Sequence, residues 1–565
     1  MKAKLTHHYL WGCLAALCIG WLYLTGSAAA GPAILEKSAL AGLVGESKTN
    51  PTFSAAVAPV ERARLRIPDW LRAHFRRNHS EFLKVAAPSD PTGGFPLALE
   101  NLYLWMLAHQ DLQPPPPPPV TTAAAVIVND NLRISGVNSM PRSESDIRIK
   151  FSDPSRIIAA SNNLDNGRQA QFFSTDGGVT WGQTTLPLLT ADSLHSDPTV
   201  DWTSDGTAWA TTIGINASST VLQMRAYKST DDGKSWIFDG TFSGDQTQAD
   251  KQMMWVDHSS SSPYHDNIYV VWHNARPAFA ACRTKSGWQP PIQLSSAETT
   301  GTAIGSDITT NAGGDVFAVW PDTGSRNIFV VSSKDGGITY SAPRRIVQTI
   351  AAFQMTVPAF AQRAALVGVS IAAFKNESHN DVYVSWNDLS GEAGCTSASS
   401  EPGNDVNSKC TSRVWFTRST DGGATWEPAR KVQPETTSCD QFNQRLAVDP
   451  ESGQLGIVYY QTGVGAERTK TNLMFQFSSD NGKNWSSRAT KITSLSTDET
   501  SAGADTGNQY GDYNGLSVRK GVFFPCWTDR RDGKSESVFT AKITFSQNAT
   551  GGFEAILQAP PAAKP

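Results

Sequence analysis

The chain has 565 residues, of which 39% are hydrophobic, so it is too long and too apolar for a disordered chain or a minimal disulfide-stabilised fold. Its 48 Lys and Arg residues nearly balance 52 Asp and Glu residues, which argues against a nucleic-acid partner bound through its phosphate backbone. The 45 glycines and 17 tryptophans indicate many tight turns and wide aromatic cores. We therefore expect an all-β protein with many hairpins.

The first thirty residues have the pattern of a secretory signal peptide. Lys2 and Lys4 precede an apolar run over residues 10–24, and the small residues 28–30 follow it as a cleavage site. No second apolar run is long enough to span a bilayer. The sequence predicts a signal peptide over residues 1–30, export to the periplasm or the outside, and no transmembrane segment after cleavage.

Residues 31–113 differ in composition from the rest of the chain. Apolar residues at roughly helical spacing predict a short helical or low-order segment here, and we assign no chemistry to it. Six prolines follow, so residues 114–120 are expected to form a stiff extended linker. The main domain then spans residues 121–565.

Five cysteines remain after the predicted cleavage, and the odd number leaves at least one thiol unpaired within the chain. Cys395 and Cys410 flank a polar loop and are the predicted disulfide. No C-x-x-C or H-x-x-x-H spacing occurs, so neither a metal nor another cofactor is expected.

One eight-residue pattern, S-x-D-x-G-x-x-(W/Y), recurs five times after the prolines, and we call each copy an octad. The octads begin at Ser174, Ser229, Ser333, Ser419 and Ser478. Their aspartates are Asp176, Asp231, Asp335, Asp421 and Asp480. The carboxylate can accept backbone N–H groups of a turn, the glycine allows a left-handed backbone, and the aromatic ring covers the hairpin. Each octad therefore predicts the closing turn of a β-hairpin, and residues 282–288 are a decayed sixth copy.

Short buried runs ending in tryptophan alternate with the octads, and each is preceded by another strand-like run. Four strands per repeated unit are typical of a propeller blade. We predict seven blades, with six as the alternative. Their openings are expected near Asp146, Asp197, Asp250, Asp307, Val357, Asp440 and Asp512. The last unit lacks an octad, and residues 123–128 are expected to pair with it and close the ring.

The octads resemble the Asp-box (BNR) repeats of the sialidase superfamily, whose members are β-propellers, over about residues 140–545. The resemblance implies a Tyr nucleophile helped by a Glu, an Asp acid/base and three arginines that hold a substrate carboxylate. Tyr513 is then the candidate nucleophile, and Asp197 or Asp250 the candidate proton donor. The candidate arginines are Arg148, Arg445 and Arg530.

Residues just before the first strand of each blade are expected to surround one mouth of the central channel, far from the octads. The candidate ligand-binding residues are Asp146, Arg148, Lys251, Asp307, Arg445, Asp512, Asp529 and Arg530. Each aspartate has a purely structural alternative as a turn cap or a partner of channel water.

Three functions are compatible with this pattern. The first is an exported propeller that recognises a glycan or another cell-envelope ligand at the channel mouth. The second is a glycoside hydrolase of the exo-sialidase type that uses Tyr, Asp and Arg residues at the same mouth. The third is a non-catalytic interaction platform. The oligomeric state stays open.

Overall fold

The computed structural model describes residues 125–137, 140–433 and 437–546. These residues form a seven-bladed β-propeller, in which the innermost strands of successive blades lie side by side in a closed ring. The predicted signal peptide, the helical segment at residues 31–113 and the polyproline linker lie outside the described residues. Within the described residues, the helices are two short 3₁₀ segments, Ala398–Ser400 and Gly465–Thr469, and no helix is long and apolar enough to cross a bilayer.

The first six blades are antiparallel meanders that run from the hub outward in chain order. Blade 1 comprises Asp146–Ile149, Ile157–Ser161, Ala170–Ser174 and Gly182–Thr185. Blade 2 comprises Leu194–Trp202, Ala208–Ile215, Leu222–Ser229 and Ile237–Thr241. Blade 3 comprises Ala249–Val256, Ile268–Asn274, Ala278–Thr284 and a split outer strand, Gly287–Trp288 and Ile292–Gln293. Blade 4 comprises Asp307–Thr310, Val316–Pro321, Asn327–Ser333 and Arg344–Gln348. Blade 5 comprises Val369–Lys375, Asn380–Leu389, Ser412–Ser419 and Arg430–Lys431. Blade 6 comprises Gln441–Val448, Leu455–Thr462, Thr471–Ser478 and Thr490–Lys491.

Blade 7 combines the two ends of the described chain. Its inner strands are Gly515–Arg519, Val522–Asp529 and Ser537–Thr540, and Leu132–Arg133 supplies the outer strand. Val126–Val128, which lies within the predicted closing strand at residues 123–128, pairs with Ile543–Phe545 in the same sheet. The ring is thus closed by antiparallel pairing, which leaves no open sheet edge between the first and last blades.

The tryptophan-ending runs are the second strands of blades 3, 4, 5 and 7, as their apolar patterns predict. Their tryptophans are Trp272, Trp320, Trp386 and Trp527, and all four are fully buried. Blades therefore pack face to face through large aromatic side chains, which remove the most apolar area from water per residue.

The octads connect the third and fourth strands of their blades. In the first octad, the Asp176 carboxylate accepts the Ser174 hydroxyl at 2.8 Å and the Thr180 N–H at 2.9 Å. Gly178 has φ +85°, and a Cβ there would lie 2.6 Å from the Phe524 ring of blade 7. The octad therefore closes a hairpin and also fits against the preceding blade.

One blade boundary differs from the prediction. Blade 5 begins at Val369, not at Val357, because residues 349–368 form an insertion that includes a two-stranded ribbon, Gln354–Met355 with Ala365–Leu366. Val357 is fully buried within this insertion. A second excursion, between Asn380–Leu389 and Ser412–Ser419, contains the Cys395–Cys410 disulfide, with the two Cα atoms 4.7 Å apart.

Candidate functional site

Three innermost strands are interrupted by β-bulges where they enter the channel. The pairing register shifts between Ser196 and Thr199 in blade 2, and equivalent shifts occur in blades 3 and 6. The bulged residues Asp197, Lys251 and Asn443 have φ values of 55°, 57° and 49°. Such left-handed backbone is unfavourable for residues with a Cβ, and bulges redirect side chains. The fold therefore uses strained positions to place polar side chains at this mouth.

Five charged residues meet at the mouth, and we call them the mouth cluster: Glu144, Asp197, Lys251, Arg363 and Asp512. The Lys251 Nζ atom lies 3.5 Å from Asp197 Oδ2 and 3.6 Å from Glu144 Oε1, and it also pairs with Asp512. The Arg363 Nη2 atom lies 3.1 Å from Glu144 Oε1 and binds Asp512 as well. Arg363 comes from the insertion before blade 5, so segments distant in sequence supply the cluster.

The pKa values of the two most buried carboxyl groups of the cluster, Asp197 and Glu144, are shifted in opposite directions. Burial raises the pKa of Asp197 to about 8, and the neighbouring Glu144 carboxylate adds to the rise while Lys251 opposes it. For Glu144, burial acts in the same direction, but the charges of Lys251 and Arg363 outweigh it and lower the pKa. At neutral pH, Asp197 is therefore a proton donor beside an ionised Glu144.

Tyr513 lies next to this pair, at the start of blade 7. Its hydroxyl donates to the Pro198 carbonyl oxygen at 3.1 Å, which ties blade 7 to blade 2 across the channel. Burial and the carboxylates of Asp197 and Glu144 raise the Tyr513 pKa well above its ordinary value. In this arrangement the phenol is a neutral hydrogen-bond donor, whereas a nucleophile needs phenolate character.

Asp250 lies at the edge of the cluster and is the most exposed of these carboxylates, with a side chain 34% accessible. Burial opposes its ionisation, but the His273 imidazole, whose Nε2 atom lies 3.6 Å from Asp250 Oδ2, and the charge of Lys251 lower its pKa. Asp250 is thus an ionised acceptor at the rim, whereas Asp197 is the protonated group.

Two buried ion pairs occupy the channel further along the innermost strands. Arg148 Nη1 lies 3.0 Å from Asp146 Oδ1, and Arg445 Nη1 lies 2.9 Å from Asp307 Oδ2. The same two aspartates accept backbone N–H groups of the innermost strands of blades 2 and 5. These four residues, which we call the hub pairs, therefore connect blades inside the channel, and their charged groups bind one another and the backbone of neighbouring blades.

The remaining predicted residues lie apart from the mouth cluster. Asp529 accepts the Trp527 indole N–H at 3.0 Å, and the Arg530 guanidinium donates to Ser501 Oγ at 2.6 Å and to three backbone carbonyl oxygens. Asp440 forms a fully buried pair with Arg468, 2.6 Å apart. All three hold loops in place, because they sit beside connections between strands rather than at the mouth.

Two members of the mouth cluster were not singled out by the sequence. Glu144 lies two residues before the first strand of blade 1, at a position comparable to Asp197 and Lys251, and its φ of 56° marks the same backbone conformation. Arg363 lies in an insertion that has no counterpart in the other blades, so no sequence pattern indicated that it would reach the mouth. Within the described ranges, no group of three or more His, Cys, Asp and Glu side chains is arranged to hold a metal ion.

No protein-family model matches the chain, and no curated protein matches it in sequence. Solved structures with a similar fold include a Dyadobacter fermentans protein of unknown function (14% identity, TM-score 0.41, covering 75% of this chain and 100% of that one). They also include a leech intramolecular trans-sialidase (12% identity, TM-score 0.41, covering 64% of this chain and 70% of that one). A third is a Penicillium chrysogenum α-L-arabinanase (12% identity, TM-score 0.39, covering 75% of this chain and 98% of that one). At these values the similarity concerns the fold alone.

Proposed function

We propose that the protein is an exported propeller that binds a carbohydrate at the mouth cluster. The observation that carries this proposal is the close alternation of fixed cationic donors and carboxylate acceptors at one channel mouth. The side chains of Lys251 and Arg363 are 14% and 23% accessible, and Asp250 is more exposed than either. These groups are the ones a ligand would meet first.

The chemistry of the rim suits a sugar. Vicinal hydroxyl groups each donate and accept, so they are best bound where ammonium or guanidinium donors alternate with carboxylates. Hydrogen bonds to charged groups are about twice as strong as neutral ones. Because the bulges and the ion pairs within the mouth cluster hold these side chains in place, little ordering entropy is lost when a ligand binds.

Binding is tested on a glycan array followed by titration calorimetry of the best glycan. We expect Lys251→Met and Arg363→Leu each to weaken binding at least about tenfold, since each removes a charge-assisted hydrogen bond. Arg345→Leu, on the exposed outermost strand of blade 4, is the matched control and should bind normally. Unchanged affinity in both mouth variants would refute the proposal.

A second candidate function is glycoside hydrolysis, and the raised pKa of Asp197 favours it. A general acid must be protonated at the working pH, and Asp197 meets this condition beside an ionised Glu144 that can stabilise positive charge on a sugar ring. In this candidate mechanism, Lys251 and Arg363 orient the substrate, and Asp197 protonates the glycosidic oxygen as its bond to the sugar carbon breaks and the alcohol leaves. Water then adds to the sugar carbon, and its proton restores the Asp197 carboxyl group.

Hydrolysis is tested with fluorogenic glycosides, a sialoside among them. We expect turnover to fall as the pH rises through about 8, the pKa of Asp197, and to be lost in Asp197→Asn. Tyr513→Phe should keep its activity, because the phenol serves a backbone carbonyl; loss of turnover there would restore Tyr513 as the nucleophile. If no glycoside is cleaved, hydrolysis is excluded and binding alone remains.

A further inference from the structure

The channel has a second recess at its other mouth, where the innermost strands end. It has a volume of about 410 Å³, and we call it the lower cavity. Its lining includes Phe151, Trp202, Trp255, His258, Phe374 and Arg519. The volume is within the range of about 300–1,000 Å³ that is usual for small-molecule sites.

The hub pairs separate the lower cavity from the mouth cluster. Arg148 lies between the hub and the lower cavity. It pairs with Asp146 inside the channel, and its guanidinium lies over the Trp255 ring of the cavity lining, 5.5 Å from the ring centroid. The residues of the mouth cluster are absent from the cavity lining. A ligand in the lower cavity would therefore not contact Lys251 or Arg363.

Fixed aromatic rings form much of the lining. Phe151 and His258 are stacked, with ring centroids 3.8 Å apart and planes inclined by 5°. The Trp255 indole N–H donates to Thr310 Oγ1 at 3.0 Å. Phe151 and Trp255 remain partly exposed although large apolar rings are normally covered. The cavity thus offers preformed apolar surface, and the rings lose little freedom when a ligand covers it.

The charged groups of the lining are already engaged. Arg519 donates to the Phe151 carbonyl oxygen at 3.1 Å and pairs with Glu451 at 2.9 Å. The Lys375 Nζ atom lies 3.5 Å from Asp315 Oδ2. The Asp266 carboxylate accepts the Ser204 N–H at 2.7 Å and the Ser204 hydroxyl at 2.5 Å. A polyanion would have to break the pairs of Arg519 and Lys375, and a cation would have to displace Ser204 from Asp266 while it is repelled by Arg519 and Lys375.

Uncharged polar groups supply the rest of the lining. Ser152 and Ser260 are exposed, and Asn311 lies deeper. The His265 side chain is 31% accessible and also lines the cavity. These groups can donate to and accept from the hydroxyl groups of a polar ligand.

We propose that the lower cavity binds a neutral carbohydrate of one or two rings, independently of the mouth cluster. A pyranose ring has an apolar C–H face that can cover an aromatic ring, and its hydroxyl groups can satisfy serine, amide and imidazole groups around it. Ring faces combined with uncharged hydrogen-bonding groups fit such a ligand better than a phosphate or an ammonium compound.

The test uses lactose, maltose, cellobiose and N,N′-diacetylchitobiose as probes, measured by titration calorimetry and saturation-transfer NMR. At least one should bind the full chain at millimolar concentration or below. Ser260→Trp, which places a large ring at an exposed position of the lining, should weaken that binding at least tenfold without changing the melting temperature. Arg345→Leu, on the exposed outermost strand of blade 4 and outside both sites, should bind the same sugar normally, and Lys251→Met shows which of the two mouths holds the sugar.

Three results would overturn the proposal. They are no binding of any of the four sugars, binding that Ser260→Trp leaves unchanged, and binding that Lys251→Met removes, since the last would place the ligand at the other mouth. Sialyllactose is the charge probe: it should bind no more tightly than lactose at the lower cavity. Tighter binding that Ser260→Trp abolishes would contradict the neutral ligand.

Discussion

The octad aspartates and the mouth aspartates are the same residue type in opposite environments. Hydrogen bonds from Thr180 and the turn backbone lower the pKa of the exposed Asp176 to about 2. Burial raises the pKa of Asp197 to about 8. The first carboxylate is held ionised by its own turn, and the second keeps its proton because little water reaches it. The repeated aspartates thus stabilise turns, and the unrepeated neighbours of Asp197 create the environment that raises its pKa.

The two sets also differ in where their partners come from. Asp176 is bound within four residues of itself. Asp197 depends on Glu144 from blade 1, Lys251 from blade 3 and, through Asp512, on the segment before blade 7. A local network can be read from one motif, whereas the mouth exists only after the ring has closed.

The largest effect should come from breaking a hub pair, because it tests whether buried charges at the channel are structural. Arg445→Met leaves Asp307 buried without its cation, and losing one partner of a buried pair costs about 3–5 kcal/mol. Urea unfolding measures the loss. The double variant Asp307→Asn/Arg445→Met should recover most of it, and a single variant as stable as the parent would contradict the structural role.

A pH-dependent effect should distinguish Asp197 from all the octad aspartates. Because the folded-state pKa is raised from 3.8 to about 8, the native state binds the extra proton, so the free energy of unfolding falls as the pH rises across this window. One proton gives a slope of at most about 1.4 kcal/mol per pH unit. In thermal melts, the stability of Asp197→Asn should lack this pH dependence. Its melting temperature should therefore rise increasingly above that of the parent toward pH 8.

Asp250→Asn is the matched control for that experiment. Its folded-state pKa is lowered, so its contribution to stability is present above the unfolded value and is lost as the pH falls. The two variants should therefore change the pH profile in opposite directions. Parallel profiles would show that the two carboxyls share one environment.

The smallest effect should come from an octad. Asp231→Ala removes acceptors for the Ser235 N–H and hydroxyl, which costs about 1 kcal/mol for a turn-capping carboxylate. The pKa of Asp231 is lowered to about 2, so the difference from the parent should vanish as the pH falls from about 4 toward 2. A loss as large as that of Arg445→Met would mean that octads do more than close turns.

Most of the fold was predictable because its signals are local. The octad turns and the buried second strands depend on neighbouring residues, and they led to seven four-stranded blades. The start of blade 5 was misplaced because the insertion before Val369 follows no repeat.

The site was predictable only in part. Asp197, Lys251 and Asp512 follow from the rule that residues opening a blade face the channel, and the structure brings them together. The same rule could not show that Asp146 and Asp307 lie in buried ion pairs. How deep such a residue lies in the channel depends on how far neighbouring blades are shifted along the channel axis, which the sequence does not record. Arg363 reaches the mouth through a long-range ion pair that no local pattern records.

Closure through blade 7 also bears on the order of folding. The Ala125 N–H binds the Ser546 side chain across 421 positions of sequence, and Leu132–Arg133 pairs with Ser537–Thr540 in the same sheet. The other blades pair strands that are neighbours in sequence, whereas these contacts close a loop that spans almost the whole described chain. Because such long loops cost the most entropy to close, we expect blade 7 to be completed late in folding.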